Sequence, residues 1–280
     1  MSGSNNVDLP YVDQLLEELV RSPDSRISKT MGRHVHWGYF DSPSAEPSIP
    51  TSLAAGEAMT ERICRAARVH DGLRVLDVGC GFGGTIGHLN ERLAGCRLVG
   101  LNIDERQLVR ARQLVADRPG NTVQFVQGDA CALPFDDGSF DVVLAVECIF
   151  HFPSRKTFFS EARRVLRPGG TLALSDFVVN DDKLDDMAEW TAVNPGNGFW
   201  GVRSAAICAS TYARIARVAG FTVLSDEDIT ANTMPTYVGL KSVYAEAKME
   251  DALAASVFLE ELSRRGFFEY RILSFEAKGG

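Results

Sequence analysis

The sequence predicts an α/β fold, a parallel and doubly wound sheet with helices on both faces, on three observations. Strand-like and helix-like segments alternate from residue 51 to residue 178, an order that requires right-handed crossovers between parallel strands. The apolar run Val75-Leu76-Asp77-Val78 ends in a glycine-rich turn, Gly79, Gly81, Gly83 and Gly84, that opens a helix. Three more segments, ending near Asn102, Asp129 and Glu147, bring polar side chains to the carboxyl ends of strands, where ligands of such sheets bind.

Taken in order, residues 8 to 22 place Leu9, Val12, Leu15, Leu16, Leu19 and Val20 at helical spacing and predict an amphipathic N-terminal helix. The stretch 41–50 holds Pro43, Pro47 and Pro50 among serines, which forbids continuous helix and predicts a mobile connector. A helix over 52–69 then leads into strands at 75–78, 98–103, 125–130 (this one running into a polar turn), 140–146 and 171–175, with Arg167-Pro168-Gly169-Gly170 closing the helix before the last of these. The acidic and aromatic stretch after Val178, with Trp190, Phe199 and Trp200, interrupts the alternation and reads as an insertion. A helix at 209–219, a strand at 221–224, a mainly helical insertion at 230–265 and an alternating strand at 267–276 complete the chain. The organisation expected is one domain: a lid segment (1–50), a nucleotide-binding core (51–178), and lid insertions with the last two strands (179–280).

Composition bounds the function. With 45% apolar residues in 280, the chain can bury one substantial core. A net charge of −8 provides no footprint for nucleic-acid phosphates, so a nucleic-acid partner is not expected. Arg62, Arg65 and Arg68 read as a solvated helix face. No basic leader precedes an apolar run, and no stretch approaches the ~20 apolar residues that span a bilayer, so the expectation is a cytoplasmic protein without stable membrane insertion. Six cysteines without a C-x-x-C pair signal neither disulfides nor zinc, and His34 with His36 alone does not make a metal site. The sequence leaves a homo-oligomer open.

The glycine turn by itself fits two cofactor classes. Gly79, Gly81 and Gly84 make G-x-G-x-x-G, a dinucleotide fingerprint, and Asp77, Gly79, Gly81 and Gly83 make D-x-G-x-G-x-G, an S-adenosylmethionine loop. The succession beyond the turn, Leu98-Val99-Gly100-Leu101-Asn102-Ile103, Phe125-Val126-Gln127-Gly128-Asp129-Ala130, Leu133-Pro134-Phe135 before Phe140–Val146, and Arg164–Gly170, resembles the class I S-adenosylmethionine-dependent methyltransferases, in particular the small-molecule branch with the ubiquinone and menaquinone methyltransferases. The segments His34–Phe40, Val146–Phe152 and Ser175–Val178 are similar to the rebeccamycin-type sugar O-methyltransferases. An NAD-dependent oxidoreductase is supported only by G-x-G-x-x-G, and a non-enzymatic binding protein does not explain three polar side chains at the acceptor side.

The resemblance implies a Rossmann-like sheet whose last strand is antiparallel, with S-adenosylmethionine as cofactor and a small-molecule acceptor. It implies that Gly79, Gly81 and Gly83 lie against the methionine and ribose portions with Asp77 nearby, that Asn102, assisted by Gln107, meets the ribose, and that Asp129 and Ala130 read the adenine. Asn102 stands where the wider class most often has an acid, which weakens that bond. His34, His36, Trp37 and Tyr39 are expected in a flap over the cofactor. Catalytic candidates are His151 as general base, Asp176 as its orienter, and Glu147, which suits carbon methylation of an alkene or contact with the cofactor amine. Plainer roles are a backbone-bonded histidine and a helix cap. Hydroxyl methylation in natural-product metabolism is the first expectation and carbon methylation of a prenyl or sterol-like chain the second. Trp190, Trp200 and Tyr237 are expected either to line an apolar acceptor pocket or to serve as core.

Overall fold

The computed structural model describes residues 10–116, 118–196 and 207–279. Strands β1 (Arg74–Val78), β2 (Arg97–Asn102), β3 (Thr122–Gln127), β4 (Phe140–Val146), β5 (Leu166–Val179), β6 (Phe221–Asp228) and β7 (Phe268–Ala277) form one sheet in the order β3-β2-β1-β4-β5-β7-β6. The first five pair in parallel, while β7 lies antiparallel between β5 and β6. The helices are α1 (Pro10–Arg21), α2 (Arg26–Met31), α3 (Ile49–Ala66), α4 (Gly84–Arg92), α5 (Glu105–Leu114), α6 (Arg155–Val165), α7 (Leu184–Val193), α8 (Ala209–Val218), α9 (Thr230–Glu246) and α10 (Glu250–Arg264).

The unbroken apolar runs of the central strands follow from burial on both faces. Along β4, Val142, Leu144 and Val146 enter one core, and Val143 and Ala145 the other. Helices α3 and α4 cover the first face with Met59, Ile63, Ile86 and Leu89, whereas α6 and α8 cover the second with Phe158, Phe159, Tyr212 and Ala216. The first core continues upward into a roof made of Leu15 and Leu19 on α1, Ile27 on α2, Leu240 and Val243 on α9, and Leu259 on α10. This roof closes over the carboxyl ends of the parallel strands, so the two chain-terminal regions share one core with the sheet.

Three boundaries differ from the sequence expectation, each for a local reason. Helix α3 begins at Ile49 inside the proline-rich stretch, because Pro50 occupies the first turn, where a missing N–H costs nothing, and Ser48 and Thr51 form a reciprocal capping box worth ~1 kcal/mol. Strand β3 starts at Thr122, before the expected Phe125, and ends at Gln127, with Asp129 and Ala130 in the expected polar turn. Strand β5 takes over directly from α6 at Leu166, with its pairing to β4 interrupted between Leu166 and Thr171. The Pro-Gly-Gly segment thus makes an irregularity within the strand, where Gly169 has a φ of 76°. Val20, placed on the apolar stripe by spacing, faces solvent at 84% exposure.

Candidate active site

Strand β1 delivers the chain into a loop pinned to β2, since the N–H groups of Gly79 and Cys80 both donate to the Leu101 carbonyl at 2.7 and 3.0 Å. Gly79 and Gly81 have φ of 70° and 53°, a region that side-chain-bearing residues avoid. A Cβ on Gly79 would stand 2.7 Å from the Cys148 Cβ, and one on Gly81 would stand 2.8 Å from Cγ2 of Val35. The glycines therefore let the end of β4 and the segment before Trp37 close onto the loop. Gly83 serves differently: it is the left-handed N-cap of α4, and its close neighbours are Phe125, Val115 and Ala111. It lies outside the cavity lining, so its contribution is to helix entry and packing instead of ligand contact.

Above the loop lies a cavity of about 910 Å³ when the open space at its mouth is included. Asp77, Gly79, Gly81, Asn102, Gln107, Asp129, Ala130, Glu147 and His151 all line it. Asn102 accepts from the Asp104 N–H at 3.0 Å and faces Gln107 at 3.4 Å, which presents two neutral amides on one wall. Asp129 accepts from the Cys131 N–H at 2.7 Å, fixing the turn that carries Ala130.

Asp77 is 1% exposed, and neither carboxylate oxygen has a hydrogen-bond partner among the described residues. Burial pushes its pKa up to about 8, with Thr85 opposing the shift. A buried carboxylate that has no well-formed hydrogen bond, with Thr85 beside it, on a cavity wall fits a cationic ligand group, and the bare backbone at Gly81 fits close approach by a ligand. On these two observations the residues fit S-adenosylmethionine, whose amine is cationic. Between pH 4 and 8 the folded, ligand-free protein retains a proton on Asp77 that the unfolded chain has released, so this group destabilises the fold as pH rises through that window. The thermal midpoint of Asp77→Asn relative to the native protein is therefore expected to rise from pH 5 to pH 8, while calorimetry shows about tenfold weaker S-adenosylmethionine binding. A constant midpoint difference would mean that Asp77 is already ionised.

The catalytic candidates do not assemble as the sequence suggested. Glu147 has a φ of 50°, and its carboxylate accepts from the Trp37 N–H at 2.8 Å and from the Tyr270 hydroxyl through Oε2. Removal from bulk water raises its pKa to about 8, against those two donors, and Asp176 adds to the rise. His151 presents Nε2 to the Tyr11 hydroxyl at 3.2 Å, with the two rings stacked at 5.7 Å. Asp176 is fully buried in a trio with Arg155, 3.2 Å from its oxygen, and the Tyr212 hydroxyl, and it does not line the cavity. The expected His151–Asp176 pairing is thus replaced by His151–Tyr11, because the alternation of β5 turns Asp176 into the sheet's packing.

The flap also divides. His34 and His36 line the cavity, whereas the Trp37 ring packs edge-on against Phe177 and Tyr237, at 5.3 and 5.6 Å, outside it. What Trp37 contributes is its backbone N–H on Glu147. Tyr39 is turned away, with the Arg62 guanidinium 4.2 Å over its ring, and is not placed for cofactor contact. Trp190 stacks on Phe258 at 5.7 Å, and Tyr237 is fully buried with its hydroxyl 3.1 Å from Ser263, so both are packing residues; Phe199 and Trp200 lie outside the described residues. Arg62, Arg65 and Arg68 pair with Glu227, Glu61 and Glu276. Among the described residues no His, Cys, Asp and Glu group suits a metal ion, and no helix is long and apolar enough to cross a membrane.

Two smaller cavities adjoin the first. One, about 360 Å³ with its open space included, is walled by Trp37, Phe150, Phe177 and Leu259 and shares Tyr11, Val35, Glu147 and His151 with the main cavity. The other, about 480 Å³, lies under the roof between Leu15, Ile27, Leu240 and Tyr244 and shares Tyr11, Val35 and His36. Tyr11 and Tyr270 are not legible as site residues in the sequence. Tyr11 stands one helical turn before Leu15, and Tyr270 alternates with Phe268 and Ile272, signals that mark buried faces without showing that a hydroxyl reaches a site.

Seven strands with an antiparallel β7, a glycine loop after β1 and a cavity fitted to a cationic nucleoside define the architecture of a Rossmann-like methyltransferase. The family described as a methyltransferase domain matches residues 76–174. Methyltransferase GfsG of Streptomyces halstedii is 38% identical over 204 residues, covering 72% of this chain and 71% of that protein. The 27-O-demethylrifamycin SV methyltransferase of Amycolatopsis mediterranei is 34% identical, covering 75% of each. Sterol 24-C-methyltransferase ERG6B of Gibberella zeae is 36% identical over 68% of this chain, which spans 53% of that protein's length. Among solved structures, mycolic acid cyclopropane synthase CmaA1, complexed with SAH and CTAB, shares the fold with a TM-score of 0.76 at 18% identity, covering 95% of this chain and 94% of that one. The chain belongs to the S-adenosylmethionine-dependent methyltransferases.

Proposed function

We propose that the protein methylates a hydroxyl group on a small or medium-sized, largely apolar metabolite of natural-product metabolism. The observation that carries this reading is the wall shared by the main cavity and the 360 Å³ chamber, where His151 and Tyr11 stand between the cofactor side and a pocket of Trp37, Phe150, Phe177 and Leu259. S-adenosylmethionine, when bound, supplies a methyl group on a sulfonium, ready for in-line displacement. Asp77, the bare loop at Gly81, Asn102 with Gln107, and Asp129 with Ala130 would hold it. The aromatic chamber holds the acceptor and excludes water, and such positioning is worth ~7 to 11 kcal/mol. His151 accepts the hydroxyl proton at Nε2, where the acceptor hydroxyl takes the place of the Tyr11 hydroxyl bonded there. The relative that acts on 27-O-demethylrifamycin SV supports an oxygen acceptor.

A second reading, carbon methylation of a prenyl or sterol-like chain, rests on Glu147, which borders the same chamber beside aromatic rings, and on the sterol relative. It requires a carboxylate anion to stabilise a carbocation. Burial raises the Glu147 pKa to about 8 in the ligand-free protein, so the second reading needs the cationic cofactor to draw the anion out, a step the hydroxyl reading does not require. Incubation with methyl-labelled S-adenosylmethionine and a panel of hydroxylated apolar metabolites, followed by mass spectrometry, is expected to place the label on oxygen. Label on carbon would select the second reading, and binding of NAD in place of S-adenosylmethionine would remove both.

A further inference from the structure

Three of the five histidines are joined in one hydrogen-bonded chain, apart from the groups assigned above to hold the cofactor and to take the acceptor's proton. His36 and His34 line the main cavity, with His36 Nε2 3.0 Å from His34 Nδ1. His34 Nε2 faces Glu57 Oε1 at 2.8 Å, and Glu57 Oε2 faces His88 Nδ1 at 2.8 Å. His88 Nε2 then reaches Glu61 Oε2 at 3.1 Å, and the Glu61 side chain is 48% exposed at the surface. Every link is of hydrogen-bond length, and His34 and His88 are buried. The groups come from three elements: the flap before β1, α3 and α4.

Proton accounting along this chain leaves two places open: between His36 and His34, and at His88, where a neutral ring between the accepting carboxylates of Glu57 and Glu61 can donate to only one of them. The Trp37 carbonyl, 2.9 Å from His36 Nδ1, can only accept, so His36 carries its hydrogen on Nδ1 and turns a lone pair at Nε2 toward His34. An ionised Glu57 likewise only accepts, so a neutral His34 carries its hydrogen on Nε2 and turns its own lone pair toward His36. Two lone pairs then meet across 3.0 Å, with the Thr60 hydroxyl 3.2 Å from His36 Nε2. A single added proton converts this contact into an N–H···N hydrogen bond. Burial, followed by the neighbouring His34, lowers His36 to about 3, and burial also lowers His34, with Glu57 opposing, so the resting pair is unprotonated and holds an added proton only in passing. Burial raises Glu57, but its bonds to His34, His88 and Arg33 outweigh this and hold it well below the usual carboxylate range. The other charges facing the cluster are Arg33 and Arg92 beside Glu57, Glu91 beside both arginines, and Arg65 beside Glu61.

We propose that His36, His34, Glu57, His88 and Glu61 form a proton relay that carries the proton released in methyl transfer from the cavity to solvent. The inference rests on the methyl-transfer reading but not on the acceptor atom. In methyl transfer to O–H or C–H, the bond from sulfur to methyl breaks, the bond from acceptor to methyl forms, and the acceptor's hydrogen leaves as H⁺. His151 shares the cavity with His36 and returns that proton to it. The His36–His34 pair takes the proton into the open N···N position, Glu57 balances the charge, and the exchange of protons at His88 and Glu61 delivers one to water.

Ring-nitrogen NMR of the full chain, with no ligand added, tests the pair directly. His36 is expected in the Nδ1–H form, His34 and His36 are expected to titrate together as a site for one proton, and Glu57→Gln is expected to move that titration down by ~1 pH unit or more. Independent titration of the two rings, or a titration unmoved by Glu57→Gln, would overturn the relay. Turnover with a labelled methyl donor supplies the second readout. His88→Gln is expected to slow it about tenfold or more, with recovery in imidazole buffer and unchanged S-adenosylhomocysteine affinity. Glu61→Gln repeats this at the surface, where packing is not at stake. Native turnover and pH profile in both variants would remove the relay and leave methyl transfer standing, whereas absence of label transfer by the native protein to every acceptor would remove the reading on which it rests.

Discussion

Gly81→Val is expected to weaken S-adenosylmethionine and S-adenosylhomocysteine binding by about 100-fold or more while the chain still folds. Two costs combine at this position. The residue has a φ of 53°, where a β-branched side chain is strained by ~1 to 3 kcal/mol. A Cβ there would also stand 2.8 Å from Cγ2 of Val35, so accommodating it pushes the flap away from the loop. The flap carries His34, His36 and the Trp37 N–H bonded to Glu147, and its displacement opens the cavity from the side that the ligand must face. Calorimetry with circular dichroism as a folding control checks this. Native affinity in a folded variant would show that the ligand does not approach the backbone at Gly81.

Much of this fold is legible in the sequence because its strands are buried on both faces, so the signal lies in runs of apolar residues and in the punctuation between them. Glycines 79 and 81 and the residues Asn102, Asp129 and Glu147 at strand ends are sequence-local features of a sheet whose ligands bind at one edge, and all five line the cavity. What escaped is non-local. Glu147 follows the end of β4 and Asp176 lies within the neighbouring β5, so one backbone enters a left-handed turn toward the cavity while the other keeps the pleat and turns its side chain to Arg155 and Tyr212. Tyr11 enters the site from a helix 140 residues away in the chain from its partner His151. Periodicity identifies the buried face of α1, and only the roof's packing decides that a tyrosine on that face meets a histidine. The same holds for Glu57 and His88, which occupy facing helices whose register no spacing rule within either helix contains.

His151→Ala is expected to lower turnover by about 100-fold or more with cofactor affinity nearly unchanged, since general-base contributions run ~10² to 10⁴. The ring lines both the main cavity and the aromatic chamber, and its contact with Tyr11 fixes the plane in which Nε2 is offered. Glu147→Gln separates the two chemistries. Its Oε2 accepts from the Trp37 N–H and the Tyr270 hydroxyl, and the isosteric amide oxygen retains both bonds, so the flap stays in place and the change is confined to charge. If an oxygen acceptor loses its proton to His151, the charge on Glu147 takes no part in the step, and turnover falls only a few-fold. If carbon is methylated, the anion is the stabilising group, and Glu147→Gln abolishes turnover with cofactor still bound while His151→Ala remains active. Steady-state rates of the two variants on the acceptor identified by label transfer, measured beside S-adenosylhomocysteine affinity, decide between hydroxyl and carbon chemistry at this wall.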